Sequence, residues 1–174
     1  MQTTLVLTFI ADDQPGLTDM LSGVIRQHQG NWLESKLVHM RGKYTGIIEI
    51  SIASENLPAL QQSFESLRHE GFAILLEPIN KAFNALKHRR AALSVLGLDR
   101  PGIVKELSQR FALECINIEQ FNSKVEAAPM SGEPLFKADI EIALPEGVDI
   151  DSLDEQIDLI AQQLDIEYQL SIAI

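Results

Sequence analysis

The chain has 174 residues, a formal net charge of −11, and 45% hydrophobic residues. This length is enough for two small domains with separate cores, and the composition is that of a folded globular protein. The negative charge, most of which lies in the second half, disfavours contact with nucleic acid phosphates or an anionic membrane surface. We therefore expect no direct nucleic acid partner and no membrane partner.

The N-terminus and the cysteine content indicate the compartment. Residues 1–4 lack the basic and apolar regions of a signal peptide, and no apolar run approaches the ~20 residues of a membrane span. Cys115 is the single cysteine, so no internal disulfide can form, and we expect it to be a buried, unreactive thiol. These features predict a cytoplasmic protein.

In chain order, the first part of the sequence predicts a strand, a helix, a hairpin, a helix and a strand. Residues 3–11 are apolar and rich in β-branched side chains, which is typical of a buried strand. Apolar residues then recur with the spacing of a one-faced helix from Leu17 to Ile25. A hairpin turn is predicted at residues 41–43, followed by a helix over 57–67 and a strand over 73–76.

The same order of elements returns later in the chain. An Asp-x-Pro-Gly-aliphatic motif occurs at residues 13–17 and again at 99–103, and Asn117 follows Asn31 by the same 86 residues. The second copy has the following predicted elements: strands at 91–98, 118–125, 136–144 and 166–174, one helix through Ile103, Leu107 and Phe111, and one over 153–164.

This duplication predicts an α+β fold of two ferredoxin-like βαββαβ domains, each a four-stranded antiparallel sheet with two helices on one face. We assign residues 1–79 to the first domain, 80–90 to a linker, and 91–174 to the second domain. The hairpin loop at 127–134 is longer than its counterpart, so the two halves have diverged.

The repeated motif resembles the ACT domain, in which the first strand runs into an Asp-x-Pro-Gly loop and the second strand often begins at an asparagine. Two tandem copies without an enzyme or DNA-binding module are similar to the glycine cleavage system transcriptional repressor proteins. The resemblance implies a regulator that binds a small amino acid, glycine or serine, and contacts a DNA-bound transcription factor. It also implies that edge strands pair, within the chain or in a homo-oligomer.

The two motif loops and the two asparagines are the candidate ligand-binding residues. Amides at a helix N-terminus donate hydrogen bonds to a carboxylate, a glycine lets the ligand approach the main chain, and an asparagine amide both donates and accepts hydrogen bonds. A purely structural interpretation remains open, with Pro-Gly as a helix start, Asp as a cap and Asn as a turn former. The candidates are Asp13, Gln14, Pro15, Gly16, Leu17, Asn31, Asp99, Arg100, Pro101, Gly102, Ile103 and Asn117.

The remaining sequence features give no support for catalysis or metal binding. The four histidines are scattered and the usual nucleophile and nucleotide motifs are missing, so we expect no catalytic residue, no metal site and no cofactor. The basic run at 87–90 suits an exposed linker, and the acidic residues at 146–158 suit either a solvated helix face or a docking surface for a basic partner. Two alternative functions stay open: a ligand-free interaction adaptor, and a regulatory subunit of an amino-acid biosynthetic enzyme.

Overall fold

The computed structural model describes residues 1–79, 89–145 and 147–172. The chain divides into two compact units, Met1–Phe83 and Asn84–Ile174. Most of the expected linker, including Lys87 and His88 of the basic run, lies outside the described residues, as does Glu146.

The first unit has the predicted order of elements. Its segments are β1 (Gln2–Asp12), α1 (Leu17–Gln27), β2 (Asn31–Met40), β3 (Lys43–Ala53), α2 (Leu57–Leu67) and β4 (Ala73–Pro78). The strands form one antiparallel sheet in the order β2-β3-β1-β4, so β2 and β4 are its edges. This order places the second strand of the unit at a sheet edge.

The second unit repeats this arrangement. Its segments are β5 (Arg89–Leu98), α3 (Ile103–Leu113), β6 (Asn117–Ala127), β7 (Pro134–Leu144), α4 (Ile150–Leu164) and β8 (Ile166–Ile172), in the sheet order β6-β7-β5-β8. Strand β5 begins two residues earlier than predicted, so Arg89 and Arg90 are strand residues rather than linker. Arg90 forms an ion pair with Glu119 of β6 at 2.9 Å, which fixes it against its own sheet.

Each unit buries its own core between one face of its sheet and its two helices. In the first, alternate residues of β1 such as Leu5 and Leu7 pack with Leu21 of α1 and Phe64 of α2. In the second, Leu93 packs within a cluster that also receives side chains from α3 and α4. The period of two along the strands and the period near 3.6 along the helices produce these faces. The predicted α+β fold class is therefore confirmed.

One sequence expectation about the second unit is wrong. Cys115 is exposed, not buried. It follows the end of α3 with φ +55°, and the next amide, that of Ile116, donates to the Phe111 carbonyl at 2.8 Å. The left-handed backbone conformation of Cys115 therefore terminates the helix and turns the cysteine side chain toward solvent. Gln29, at φ +60°, ends α1 in the same way 86 residues earlier.

Candidate functional site

The first motif loop ends β1 and begins α1 with no side-chain cap. Gly16 has φ +97°, a left-handed conformation that favours glycine, and its carbonyl accepts the Met20 amide at 2.9 Å. Within the part of the chain that the structure describes, no side chain accepts from the first-turn amides that follow, Leu17 to Asp19. Amides in this position point outward at the positive end of the helix dipole. The loop therefore presents unpaired donors to solvent.

This loop is anchored to the turn between β2 and β3. The Asp13 amide donates to the Gly42 carbonyl at 2.8 Å, and the Asp13 carboxylate lies 3.5 Å from Nε2 of His39. Asp12 forms an ion pair with Lys43 beside them. Asp13 therefore holds the loop against the hairpin, and the interpretation of Asp13 as a helix cap is not needed.

The second motif loop has the same backbone path but different contacts. Gly102 has φ +110°, and the Asp99 amide donates to the Pro134 carbonyl at 2.8 Å, the counterpart of the Asp13 contact. The Arg100 guanidinium donates to the carbonyls of Gln163 and Leu164, at 3.1 Å each. These carbonyls end α4, so Arg100 satisfies helix C-terminal acceptors and is committed to the structure of its own unit.

Both helices carry an acidic residue in the first turn, Asp19 in α1 and Glu106 in α3, and the position of this carboxylate distinguishes the two loops. A Cβ built on Gly102 would lie 3.2 Å from Oε1 of Glu106, whereas a Cβ built on Gly16 would meet nothing within 4 Å. Glu106 belongs to the first turn of α3, where its negative charge interacts favourably with the helix dipole. An anionic ligand at the second loop would be repelled by this carboxylate. The first loop is therefore the more open binding site for an anion.

The candidate residues differ in exposure. Residues 13–16 and 99–102 are exposed, whereas the side chains of Leu17 and Ile103 are buried in the cores of their units. Leu17 and Ile103 can therefore meet a ligand only through their backbone amides.

The two asparagines are not beside the loops of their own units. Asn31 pairs with Ser51, which pairs with Thr4, eight residues before Asp12 on β1. At about 3.3 Å per residue, this separation places Asn31 about 26 Å from the end of the sheet that carries the loop. Asn117 is related in the same way to the second loop, because its row of the sheet contains Arg90. Each unit alone does not bring its asparagine and its loop together.

The surface grooves of the two units were not predicted from the sequence. Four of the grooves on the described residues lie elsewhere than the motif loops, and neither Asn31 nor Asn117 lines any of these four. One groove of about 600 Å³ lies on the outer face of the second sheet, the face without helices, and is lined in part by Ser94, Lys137 and Gln169. The signal for it was the alternation of polar residues along β6 and β7.

An ion cluster lies beside this groove. Glu126 accepts from Nζ of Lys124 at 2.8 Å and also from Lys137. The hydrogen bonds from the two lysines lower the pKa of Glu126 to about 2, and the bond to Glu126 raises the pKa of Lys124. Partial burial, helped by a 3.0 Å hydrogen bond to the Asp154 carboxylate, raises the pKa of Tyr168 to about 12.

We expect replacement of Lys137 or Lys124 by alanine to raise the pKa of Glu126 toward 4.5, its ordinary value. Because the folded-state pKa is depressed, the cluster stabilises the protein above about pH 4.5, and this contribution is lost as the pH falls toward 2. The measurement is an NMR titration of the Glu126 carboxyl carbon. Salt at molar concentration should reduce the shift in the pKa of Glu126, because its carboxylate is accessible to solvent ions. A Lys105→Ala variant, on α3, is the control and should leave the titration unchanged.

Metal ligation has no geometric support in residues 1–79, 89–145 and 147–172, where no group of three or more His, Cys, Asp or Glu side chains could hold an ion. Within the same residues, no helix is long and apolar enough to cross a membrane.

The duplicated sheet order and the repeated strand-to-helix loops define a tandem pair of ACT-like domains. Residues 3–74 match the family model described as the ACT domain, and this match covers most of the first unit and less than half of the chain. No curated protein matches the sequence significantly.

Two solved structures extend over the whole chain. One is an unknown protein from Galdieria sulphuraria, with 20% identity, coverage of 100% of both chains and a TM-score of 0.87. The other is a protein provisionally named a glycine cleavage system transcriptional repressor, with 18% identity, coverage of 99% of this chain and 98% of that chain, and a TM-score of 0.76. At these identities the likeness shows a shared fold, and it extends the ACT-like arrangement to both units.

Proposed function

We propose that this chain is a cytoplasmic regulatory protein that binds glycine or serine and thereby changes its contact with a DNA-bound transcription factor. It performs no catalysis and uses no cofactor. The observation that carries the proposal is the uncapped helix N-terminus after Gly16, which lies inside the segment that matches the ACT domain model. The fold shared with a protein provisionally named a glycine cleavage repressor supports the regulatory role.

The amino acid carboxylate binds to the amides of Leu17 to Asp19, and the carboxylate of Asp13 lies close enough on the same loop to attract the ammonium group. Asp13, Thr18 and Asp19 are exposed, so a ligand can reach this loop without displacing core side chains. Because the Glu106 carboxylate lies beside Gly102, whereas the space beside Gly16 is open, the first loop is the stronger site and the second is the weaker one.

The asparagine is supplied across a pair of edge strands. Strand β2 is a sheet edge, and its C-terminal end lies beside the motif loop through the contacts of Asp13 with His39 and Gly42. Antiparallel pairing of β2 with β2 of a second copy of the chain places the start of one strand beside the end of the other. Asn31 of one copy then approaches the loop of the other copy, and the two paired sheets become one continuous sheet.

The register shift between Trp32 and Glu34 interrupts β2 near its start, and β6 has the same irregularity between Ile118 and Gln120. Such a bulge disfavours indiscriminate pairing of an edge. Pairing with the second edge is therefore limited to the regular part of β2. Asn31 lies outside this part, so its side chain takes no part in the new strand pairing and is available to a ligand.

We expect calorimetric titration with glycine and serine to give binding heat for at least one of them. An Asn31→Ala variant should bind at least about 10-fold more weakly, because a hydrogen bond to a charged group contributes roughly 1.5–3 kcal/mol. The matched control is Asn122→Ala, an exposed asparagine on β6 that is distant from both loops in sequence. Absence of heat with every amino acid would instead support the ligand-free adaptor.

The partner is identified by affinity purification from native lysate, with and without added amino acid. Recovery of a transcription factor whose yield changes with the amino acid supports the proposal. Recovery of a biosynthetic enzyme would assign the chain as a regulatory subunit. Coupling of about 1–3 kcal/mol between ligand and partner is enough for such a response.

A further inference from the structure

The outer face of the first sheet, the face without helices, carries five exposed large apolar side chains. Strands β1, β2, β3 and β4 each contribute at least one, and their exposed fractions lie between 45% and 62%. We call this set the outer apolar face. Its members are Ile10, Val38, Met40, Ile47 and Leu75.

These five side chains are neighbours in the sheet. Thr8 of β1 pairs with both Ile47 and Leu75, which places those two residues in one row across three strands. In the next row, Thr45 pairs with both Ile10 and Val38. A groove of about 600 Å³ lined by Ile10 and Leu75, among others, lies on this face. The apolar surface is therefore continuous rather than scattered.

The corresponding face of the second sheet is polar. Its central rows contain Ser94, Asp139 and Gln169 in one and Lys124 and Lys137 in the next. Both sheets have the same strand order, so the fold does not require an apolar outer face. Exposed apolar patches of this kind on soluble proteins mark interaction sites. The difference between the two sheets indicates that the first one is covered by a partner.

The charges differ between the two ends of the outer apolar face. One row joins Glu34, Glu49 and Glu77. Three rows away, at the opposite end, Lys43 forms an ion pair with Asp12 of the same row. The face is therefore acidic at one end and has no net charge at the other. A second copy in the reversed direction keeps the two glutamate rows apart and brings Glu49 of each copy beside Lys43 of the other.

We propose that the outer apolar face binds the same face of a second copy of the chain, related by a two-fold axis that runs across the strands. This axis reverses the order of the rows, so that Glu49 of each copy faces Lys43 of the other and Ile47 of each faces Thr45 of the other. Two twisted sheets pack face to face in this manner about 10 Å apart. An axis along the strands would place the glutamate rows against each other and is disfavoured.

The available area suits a specific dimer. Four strands about 4.8 Å apart and about 30 Å long cover roughly 600 Å² in projection on each copy. The total for two copies is about 1,200 Å², the lower bound for a stable interface. This interface is separate from the β2 edge, so it can exist with or without edge pairing.

The test is sedimentation equilibrium of the full chain at concentrations from about 1 to 100 μM. We expect the wild type to form a dimer and Ile47→Glu to weaken its association at least 10-fold, because the substitution places a charge at the centre of the interface. The matched control, Gln169→Glu, adds the same charge to the outer face of the second sheet and should leave the dimer intact. A wild-type monomer throughout this range, or an undiminished dimer in Ile47→Glu, would overturn the proposal.

A charge exchange separates lost association from lost folding. Glu49→Lys and Lys43→Glu should each weaken the dimer, because each leaves two like charges facing across the axis. The variant that carries both substitutions should recover association, because the opposite charges again face each other. Failure of the double variant to recover, with unchanged circular dichroism, would rule out the proposed axis.

Discussion

Replacing Phe111 with alanine is expected to destabilise the second unit by about 3–5 kcal/mol, the range for removal of a buried phenylalanine. Phe111 is only 1% exposed and belongs to the core cluster of the second unit. Its removal eliminates the buried ring and leaves a cavity that the surrounding sheet cannot fill without moving. The measurement is urea denaturation followed by far-ultraviolet circular dichroism.

The control is Leu113→Ala, two residues later on the same helix. Leu113 is 66% exposed, so its truncation should change the free energy of unfolding by less than about 0.5 kcal/mol. Trp32 reports separately on the first unit, because the chain contains only one tryptophan. The two core clusters share no residue, so we expect Trp32 fluorescence to keep its midpoint in Phe111→Ala. A parallel loss in both signals would mean that the units unfold as one.

The order of elements could be predicted because each element carries a strong local pattern and the pattern occurs twice. The spacing from Leu17 to Ile25 specified α1, and the turn at 41–43 specified the hairpin, both within a few residues of the observed bounds. The 86-residue repeat then allowed one unit to support the assignment of the other. Local periodicity and duplication were sufficient for the fold.

Features that depend on register were not predictable. The exposure of Cys115 follows from a left-handed residue at a helix end, a position in which glycine is more usual. The separation of Asn31 from its own loop follows from the pairing of β2 with β3, which a linear motif does not report. The presence of the loop and the asparagine in the same repeated motif therefore did not imply that they are close in space.

The difference between the two motif loops could also not be predicted from the sequence. Both loops contain Asp-x-Pro-Gly, and from the sequence alone they are equivalent binding sites for a carboxylate. Two side chains distinguish them: the Glu106 carboxylate occupies the space beside Gly102, and Arg100 donates to the carbonyls that end α4. The position of a flexible charged side chain depends on its neighbours in the fold, and the motif carries no information about it.

Replacing Gly46 with alanine is expected to destabilise the first unit by about 1–3 kcal/mol, the usual cost of overpacking. A Cβ at this position would lie 2.5 Å from Cδ2 of Leu37 and 2.5 Å from the carbonyl oxygen of Lys36. A side-chain methyl can rotate away, but the Lys36 carbonyl belongs to the edge strand that pairs with Gly46. Strand β2 must therefore shift, which weakens the ladder between β2 and β3. The measurement is urea denaturation followed by Trp32 fluorescence.

Gly23→Ala is the matched control, because it makes the same chemical change in the same unit with the opposite expected sign. Gly23 lies within α1, and a Cβ there would meet nothing within 4 Å. Alanine favours the helix and reduces the entropy of the unfolded chain, so this variant should stabilise the unit by about 0.5–1 kcal/mol. If both glycine variants shifted the midpoint in the same direction, steric contact with β2 would not be the cause. Because the β2 edge carries Asn31, a displaced β2 in Gly46→Ala should also weaken amino acid binding, whereas Gly23→Ala should not.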